Sequence, residues 1–217
     1  MADYPMRRTI MVDTQVRPSD VTRFPIIDAM LTIPRERFVP QSRREAAYVG
    51  AHLDLGGGRV ILDPRIFAKL LDALDIQPSE LVLDLACGLG YSTAVLARLA
   101  DFVFALESDP AMAAEAQVTL SELGIDNAAV ETGVLAQGSG KCAPFDVIML
   151  QGAVEQVPQA VLDQLKDGGR IACIFAEGAL GVARIGHKAD GRVIWRFAFN
   201  ASAPVLAGFA ATPVFAL

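Results

Sequence analysis

Histidine, cysteine and tryptophan are scarce in this chain: two, three and one among 217 residues. The cysteines, Cys87, Cys142 and Cys173, are isolated and odd in number, and the histidines are His52 and His187. That supply lacks the paired spacing of a zinc site or a disulfide framework, so neither is expected, and reduced thiols point to the cytoplasm. Long apolar runs are missing too. The richest stretch, Ala201–Leu217, is broken by Pro204, Gly208 and Pro213, short of the roughly 18 residues that a spanning helix needs. Met1–Met11 carries Arg7 and Arg8 with no apolar run behind them, so neither a secretory signal nor a membrane partner is expected. Positive charge is in deficit, with 19 Lys and Arg against 25 Asp and Glu for a net −6. A basic footprint for nucleic acid is therefore not expected. The local cluster Arg35, Arg37, Arg43 and Arg44 reads as a solvated helix face.

What the chain has in plenty is apolar residues, 53% of the total. Such richness suits a parallel sheet covered on both faces, whose central strands are buried twice over. Residues 1–55 read as helical and polar, with helical spacing over Val21–Ile33 stopped by Pro34. Arg35–Tyr48 is charged and irregular, and Gly56-Gly57-Gly58 reads as a flexible joint. Pro64–Leu74 has helical spacing again, with Asp63 placed to cap it.

After Pro78 strand and helix alternate. Strands are expected at Leu81–Leu85, Phe102–Leu106, Ala128–Glu131, Phe145–Leu150 and Arg170–Phe175. Helices are expected at Ser92–Leu99, Pro110–Leu123 and Pro158–Leu165, the last closed by Gly168-Gly169. A further strand, Arg192–Phe199, turns back antiparallel at Asp190-Gly191. The fold expected is α/β: a Rossmann-like, mostly parallel sheet with helices on both faces and an antiparallel strand. Residues 1–77 are expected as an N-terminal helical cover and 78–217 as the Rossmann-like part of one compact unit.

The strongest signal is Leu81-Val82-Leu83-Asp84-Leu85-Ala86-Cys87-Gly88-Leu89-Gly90-Tyr91-Ser92-Thr93. A strand runs into a turn with Gly88 and Gly90 and then into a helix, so backbone N–H groups and a side-chain-free bend face one place. About twenty residues on, at the end of the next strand, Glu107 can accept hydrogen bonds from two ribose hydroxyls. A dinucleotide would want a third glycine where Thr93 stands, and Asp84 would repel its pyrophosphate. The same carboxylate suits a ligand carrying an ammonium and a sulfonium, so S-adenosylmethionine is expected. Tyr91 reads equally as a cover over that ligand or as a core aromatic, and Cys87 as a packing residue or a reactive thiol. His52 reads as structural or solvent-facing and Trp195 as strand packing. The apolar end, Pro204–Leu217, reads as a sheet-edge closure or a self-association surface; nothing in the sequence sets the oligomeric state.

These residues resemble the protein-L-isoaspartate O-methyltransferase family. The likeness runs from Met11-Val12-Asp13-Thr14-Gln15-Val16-Arg17-Pro18 through Ile33-Pro34-Arg35-Glu36-Arg37-Phe38-Val39-Pro40 and Ala47-Tyr48. It continues through the glycine turn to Ala143-Pro144-Phe145-Asp146 and Gln164-Leu165-Lys166-Asp167-Gly168-Gly169-Arg170. The resemblance implies a class I methyltransferase fold and methyl transfer from S-adenosylmethionine to a peptide or protein carboxylate, with S-adenosylhomocysteine as product. It also implies that Asp84, Ala86, Gly88 and Gly90 line the methionine end, with Cys87 and Tyr91 among the cofactor-binding residues. Glu107 would hold the ribose, Gly133 and Val134 would stand on the adenine side, and Ser108 and Gln151, the latter after the fourth strand, would complete the cofactor-binding set.

Some positions depart from the family pattern. Its G-x-T-[IV]-S-x-P run reads Gly58-Arg59-Val60-Ile61-Leu62-Asp63-Pro64, so both hydroxyls are lost, at Val60 and Leu62, and neither replacement donates a hydrogen bond. The first glycine of the turn is Ala86, the adenine-side aspartate is Val134, and T-x-A is Gln151-Gly152-Ala153. Two readings follow. The chain is a divergent carboxyl methyltransferase, or it is a cofactor-binding relative that has lost isoaspartate repair and serves another substrate or a binding role. Asp63 reads as a helix cap before a catalytic group.

Overall fold

The computed structural model describes residues 3–178 and 180–211. Of the apolar end, residues 212–217 lie outside this range, as does Ala179. The chain opens with α1 (Tyr4–Met11), which runs on through a wide turn at Val12–Val16, and α2 (Phe24–Thr32). Asp3 caps α1 and Pro5 sits in its first turn, as the missing N–H of proline favours. This part is polar only outside: Met11, Val12, Val16, Val21, Ile27 and Met30 are buried, in one cluster with residues of the sheet and its helices.

The segment read as a flexible joint is an ordered hairpin, β1 (Leu53–Gly56) with β2 (Arg59–Ile61). Its turn uses Gly56, Gly57 and Gly58, all at positive φ, so the three glycines close a hairpin here. It forms a two-stranded sheet of its own. His52 ties its base, accepting at Nδ1 from Asp63 N–H (2.9 Å) and donating from Nε2 to Ser202 O (2.7 Å). The α3 helix (Pro64–Leu74) follows, capped by Asp63, whose carboxylate accepts from Arg65 N (2.8 Å).

The seven-stranded sheet comprises β3 (Leu81–Leu85), β4 (Phe102–Glu107), β5 (Ala128–Thr132), β6 (Phe145–Val154), β7 (Leu165–Glu177), β8 (Leu180–Ala189) and β9 (Arg192–Asn200). Their order is β5-β4-β3-β6-β7-β8-β9, parallel from β5 to β7, with β8 antiparallel to both neighbours. The connecting helices are α4 (Tyr91–Ala97), α5 (Pro110–Glu122) and α6 (Gln159–Asp163). The chain winds outward one way from β3 to β5 and restarts at β6 on the other side of β3. The crevice at that reversal, beyond the carboxyl ends of β3 and β6, is where such sheets bind ligands.

Three expectations are corrected. The helix expected to Leu165 ends at Asp163, and Gly168-Gly169 lies inside β7. A Cβ on Gly169 would meet Lys166 O at 2.8 Å and Asp146 O at 2.9 Å, so Gly169 serves a close backbone approach within the sheet, while Gly168 takes a left-handed φ of 83°. Second, β6 continues to Val154, so Gln151 belongs to the strand. Third, the arginine cluster is not one solvated face. Arg35 is fully buried, donating to Ala47 O (2.7 Å) and Leu62 O (2.9 Å) with its guanidinium 4.7 Å from the Tyr91 ring centre. Arg37 and Arg43 reach outward to Glu122 and Asp54.

Candidate active site

The turn between β3 and α4 is built on three left-handed residues, Ala86 (φ 64°), Gly88 (φ 57°) and Gly90 (φ 91°). At Gly90 glycine is required twice, because a Cβ there would also stand 3.1 Å from Ala116 Cβ on α5. Ala86 holds a conformation that costs an L-residue about 1 kcal/mol, pinned by its N–H to Leu106 O (2.8 Å).

Two buried carboxylates flank this turn. Asp84, near the end of β3, accepts from Ser92 Oγ (2.6 Å), Thr93 Oγ1 (2.7 Å) and Gln151 Nε2 (2.7 Å). Burial pushes its carboxyl up to about 6, against the lowering pull of those three donors. Glu107, the last residue of β4, accepts from Gly88 N (2.9 Å), Ser108 N (2.7 Å) and Asp109 N (3.0 Å). It is also gripped by a cation: Arg59 Nε lies 3.0 and 3.1 Å from its two oxygens, and Arg59 Nη2 donates to Ser108 Oγ at 2.6 Å. The Arg59 side chain is 5% exposed and that of Glu107 0%.

The remaining residues singled out in the sequence fall partly around this centre and partly away from it. Val60 and Leu62 line a pinched cavity of about 10 Å³ together with Cys87, Tyr91, Ser92 and Gln151. Tyr91 is buried, packed on Phe38 and Phe67 with ring centres 5.9 and 5.7 Å away, which makes it a core aromatic. The Cys87 thiol is pushed well up by burial, with Asp84 and Glu107 adding to the rise. An activated thiolate is thereby disfavoured. Gly133 donates its N–H to Glu107 O (3.0 Å), while Val134 is exposed. Trp195 stacks edge-on against Phe175. Among the described residues no group of His, Cys, Asp and Glu is arranged to hold a metal ion, and no helix is long and apolar enough to cross a membrane.

Sequence reasoning missed the hairpin's part in this site. Arg59 occupies a position that the family pattern leaves free, and Leu55 was read only as upstream of a joint. The usable signal was the alternation Leu53, Leu55 ahead of three glycines and Val60 behind them, which is hairpin patterning. Nothing in the sequence marks Arg59 as the partner of Glu107, 48 residues away.

As chemistry, the set fits an S-adenosyl nucleoside: a side-chain-free bend, a carboxylate for a diol and a buried anion near the place of the positive charge. As space, it divides. An open cavity of about 300 Å³ lies over Gly57, Arg59, Glu107, Ser108, Asp109 and Met112, whereas the side toward Val60, Leu62 and Asp84 is closed by the hairpin.

Comparison with known proteins agrees with this geometry. The family profile described as Protein-L-isoaspartate(D-aspartate) O-methyltransferase (PCMT) matches residues 8–200. The Protein-L-isoaspartate O-methyltransferase of Koribacter versatilis (strain Ellin345) is 36% identical over 193 residues, covering 89% of this chain and 87% of the relative. That of Syntrophus aciditrophicus (strain SB) is 38% identical over 171 residues, covering 79% and 78%. A solved protein-L-isoaspartate O-methyltransferase superposes with a TM-score of 0.81 at 24% identity, over 94% of this chain and 65% of that one. A Plasmodium falciparum structure of the same description, in complex with S-adenosyl-L-homocysteine, gives 0.79 at 18% identity, over 95% and 99%. The two structures speak for the fold, and the sequence relatives and the profile decide the rest: the chain belongs to the protein-L-isoaspartate O-methyltransferase family.

Proposed function

We propose that this protein is an S-adenosylmethionine-dependent O-methyltransferase that methylates a carboxylate of a peptide or protein. The observation that carries the reading is the left-handed turn Ala86–Gly90 with Glu107 aimed at Gly88 N (2.9 Å), inside a chain matched to the family over residues 8–200. In this reading Asp84, Ala86, Cys87, Gly88 and Gly90 hold the methionine end, with Tyr91 packed behind the turn, Glu107 and Ser108 the ribose, and Gly133 and Val134 the adenine side. Gln151 fixes Asp84 and borders the acceptor. The cofactor supplies an electrophilic methyl group. A substrate carboxylate is already ionised at neutral pH, so the protein's part is to orient it and exclude water rather than move a proton. Residues 1–77 serve as the cover, with buried Arg35 tying Leu62 O to Ala47 O across it. A cytoplasmic setting goes with the three free thiols.

Val60 and Leu62 set the acceptor wall, and both are buried and apolar. A hydroxyl donating to a charged oxygen contributes about 1.5–3 kcal/mol, so the wall as it stands gives a slow enzyme. The test is transfer of a labelled methyl group to an isoaspartyl peptide by the parent and by Leu62→Ser. Measurable transfer by the parent, rising about tenfold or more in the serine variant, is the expected result. No transfer by either, with the same peptide turned over by a relative, would refute the activity.

A further inference from the structure

We propose that the β1–β2 hairpin is a latch that competes with the cofactor for Glu107, so that the methyl-donor site opens only when Arg59 lets go. The inference rests on the function proposed above. In the closed form Arg59 stands where a ribose diol would donate. Its Nε meets both carboxylate oxygens and its Nη2 takes Ser108 Oγ, while three backbone N–H groups complete the shell. A carboxylate has about four acceptor directions, and none is left for a sugar hydroxyl.

A second contact on the same hairpin acts on the glycine turn. A Cβ placed on Gly88 would lie 2.7 Å from Leu55 Cδ1, so the Leu55 side chain sits in the place that the missing side chain leaves free. Space follows the same division: a cavity of about 300 Å³ is open over Arg59 and Glu107, and one of only about 10 Å³ lies between Val60, Leu62, Cys87 and Gln151. The guanidinium and a ribose diol need the same carboxylate oxygens, so latch and cofactor exclude one another at Glu107.

The hairpin is a separate two-stranded unit with a bare tip. Its strands pair with each other, outside the seven-stranded sheet. Added Cβ atoms at Gly56, Gly57 and Gly58 would meet nothing within 4 Å among the described residues, so the tip is unsupported. Its base is fixed by His52 to Asp63 N–H and, one residue before, by Arg35 to Leu62 O. Opening breaks the buried Arg59–Glu107 pair and uncovers Leu53, Val60 and Ile61, so the ligand must offer Glu107 new donors and fill the space that Leu55 leaves.

The test is calorimetric titration of S-adenosylhomocysteine into the parent, Arg59→Gln, Arg59→Lys and Leu55→Ala, with hydrogen exchange of the hairpin amides read alongside. Arg59→Gln and Leu55→Ala are expected to bind at least tenfold more tightly than the parent, and Arg59→Lys, which keeps a cation on Glu107, to stay near it. In the parent, ligand is expected to speed exchange at residues 53–61. Equal affinity in the parent, Arg59→Gln and Leu55→Ala, or hairpin exchange unmoved by bound ligand, overturns the latch and leaves the methyltransferase reading standing. Binding by none of the four proteins overturns both.

Discussion

Asp84 and Glu107 end neighbouring strands and are both completely buried, yet the protein satisfies them by opposite means. Asp84 is held by neutral donors from the fold itself, two hydroxyls of α4 and an amide of β6, and its carboxyl rises to about 6. Glu107 is held by three backbone N–H groups and a full cation brought in by a hairpin outside the sheet. The difference teaches which group is permanent and which is exchangeable. Removing the donors of Asp84 would mean dismantling α4 or β6, whereas Arg59 reaches Glu107 from a two-stranded hairpin outside the seven-stranded sheet. A carboxylate that must serve a ligand is best paired by something that can leave.

The sharpest way to break this contrast is to delete the charge of Glu107. Glu107→Gln leaves Arg59 as a buried cation without its partner, which costs about 3–5 kcal/mol. At about 2–4 °C per kcal/mol for a chain of this size, the melting temperature is expected to fall by roughly 10 °C. The double variant with Arg59→Gln is expected to recover most of the loss, because neutralising both members of a buried pair is nearly neutral. A double-mutant cycle in thermal or urea unfolding reads the coupling, and a value near zero would mean that the pair is not the unit described here.

Asp84 makes a pH-dependent contribution of the opposite character. Its folded value of about 6 lies above the ordinary 3.8, so the folded chain binds the extra proton between those values. The stability from Asp84 is then fully present below about pH 4 and lost as pH rises through 6. Carried through, the rise costs about 3 kcal/mol at neutral pH. Asp84→Asn lacks that titration. Its stability relative to the parent is therefore expected to improve by up to about 3 kcal/mol between pH 4 and pH 7, in urea melts at each pH. A constant difference would show Asp84 to be ionised throughout.

The contrast also marks how far the sequence could be read. Apolar runs and glycine punctuation placed β3 to β7, because a doubly covered parallel sheet writes itself as short apolar strands between helices. The turn at Gly88 and Gly90 and the acid at Glu107 were legible for the same local reason: a bend and a strand end are fixed by neighbours in the chain. Local pattern fails where a tertiary contact decides. The three glycines at 56–58 permit a joint or a hairpin equally, and the choice was made by Leu55 seating on Gly88, a tertiary contact. Arg35 reads as a surface charge in any local window, and only the carbonyls of Ala47 and Leu62 with the Tyr91 ring make burial tolerable. Charges paired across the fold leave no periodic trace.

The smallest expected effect sharpens the permanent half of the comparison. Ala86 stands on the Asp84 side of the turn at φ 64°, where the family pattern has glycine. Its Cβ has little room to relieve the strain, since Ala86 is buried and its N–H is fixed on Leu106 O at 2.8 Å. Ala86→Gly removes a left-handed penalty of about 1 kcal/mol, partly offset by the greater freedom of glycine in the unfolded chain. A net gain of about 0.5 kcal/mol in urea unfolding is expected, with no change in the affinity ratio between Arg59→Gln and the parent. If Ala86→Gly alone raised affinity as much as Arg59→Gln, the bend rather than the hairpin would be what keeps the donor out, and the exchangeable partner of Glu107 would have no gating role.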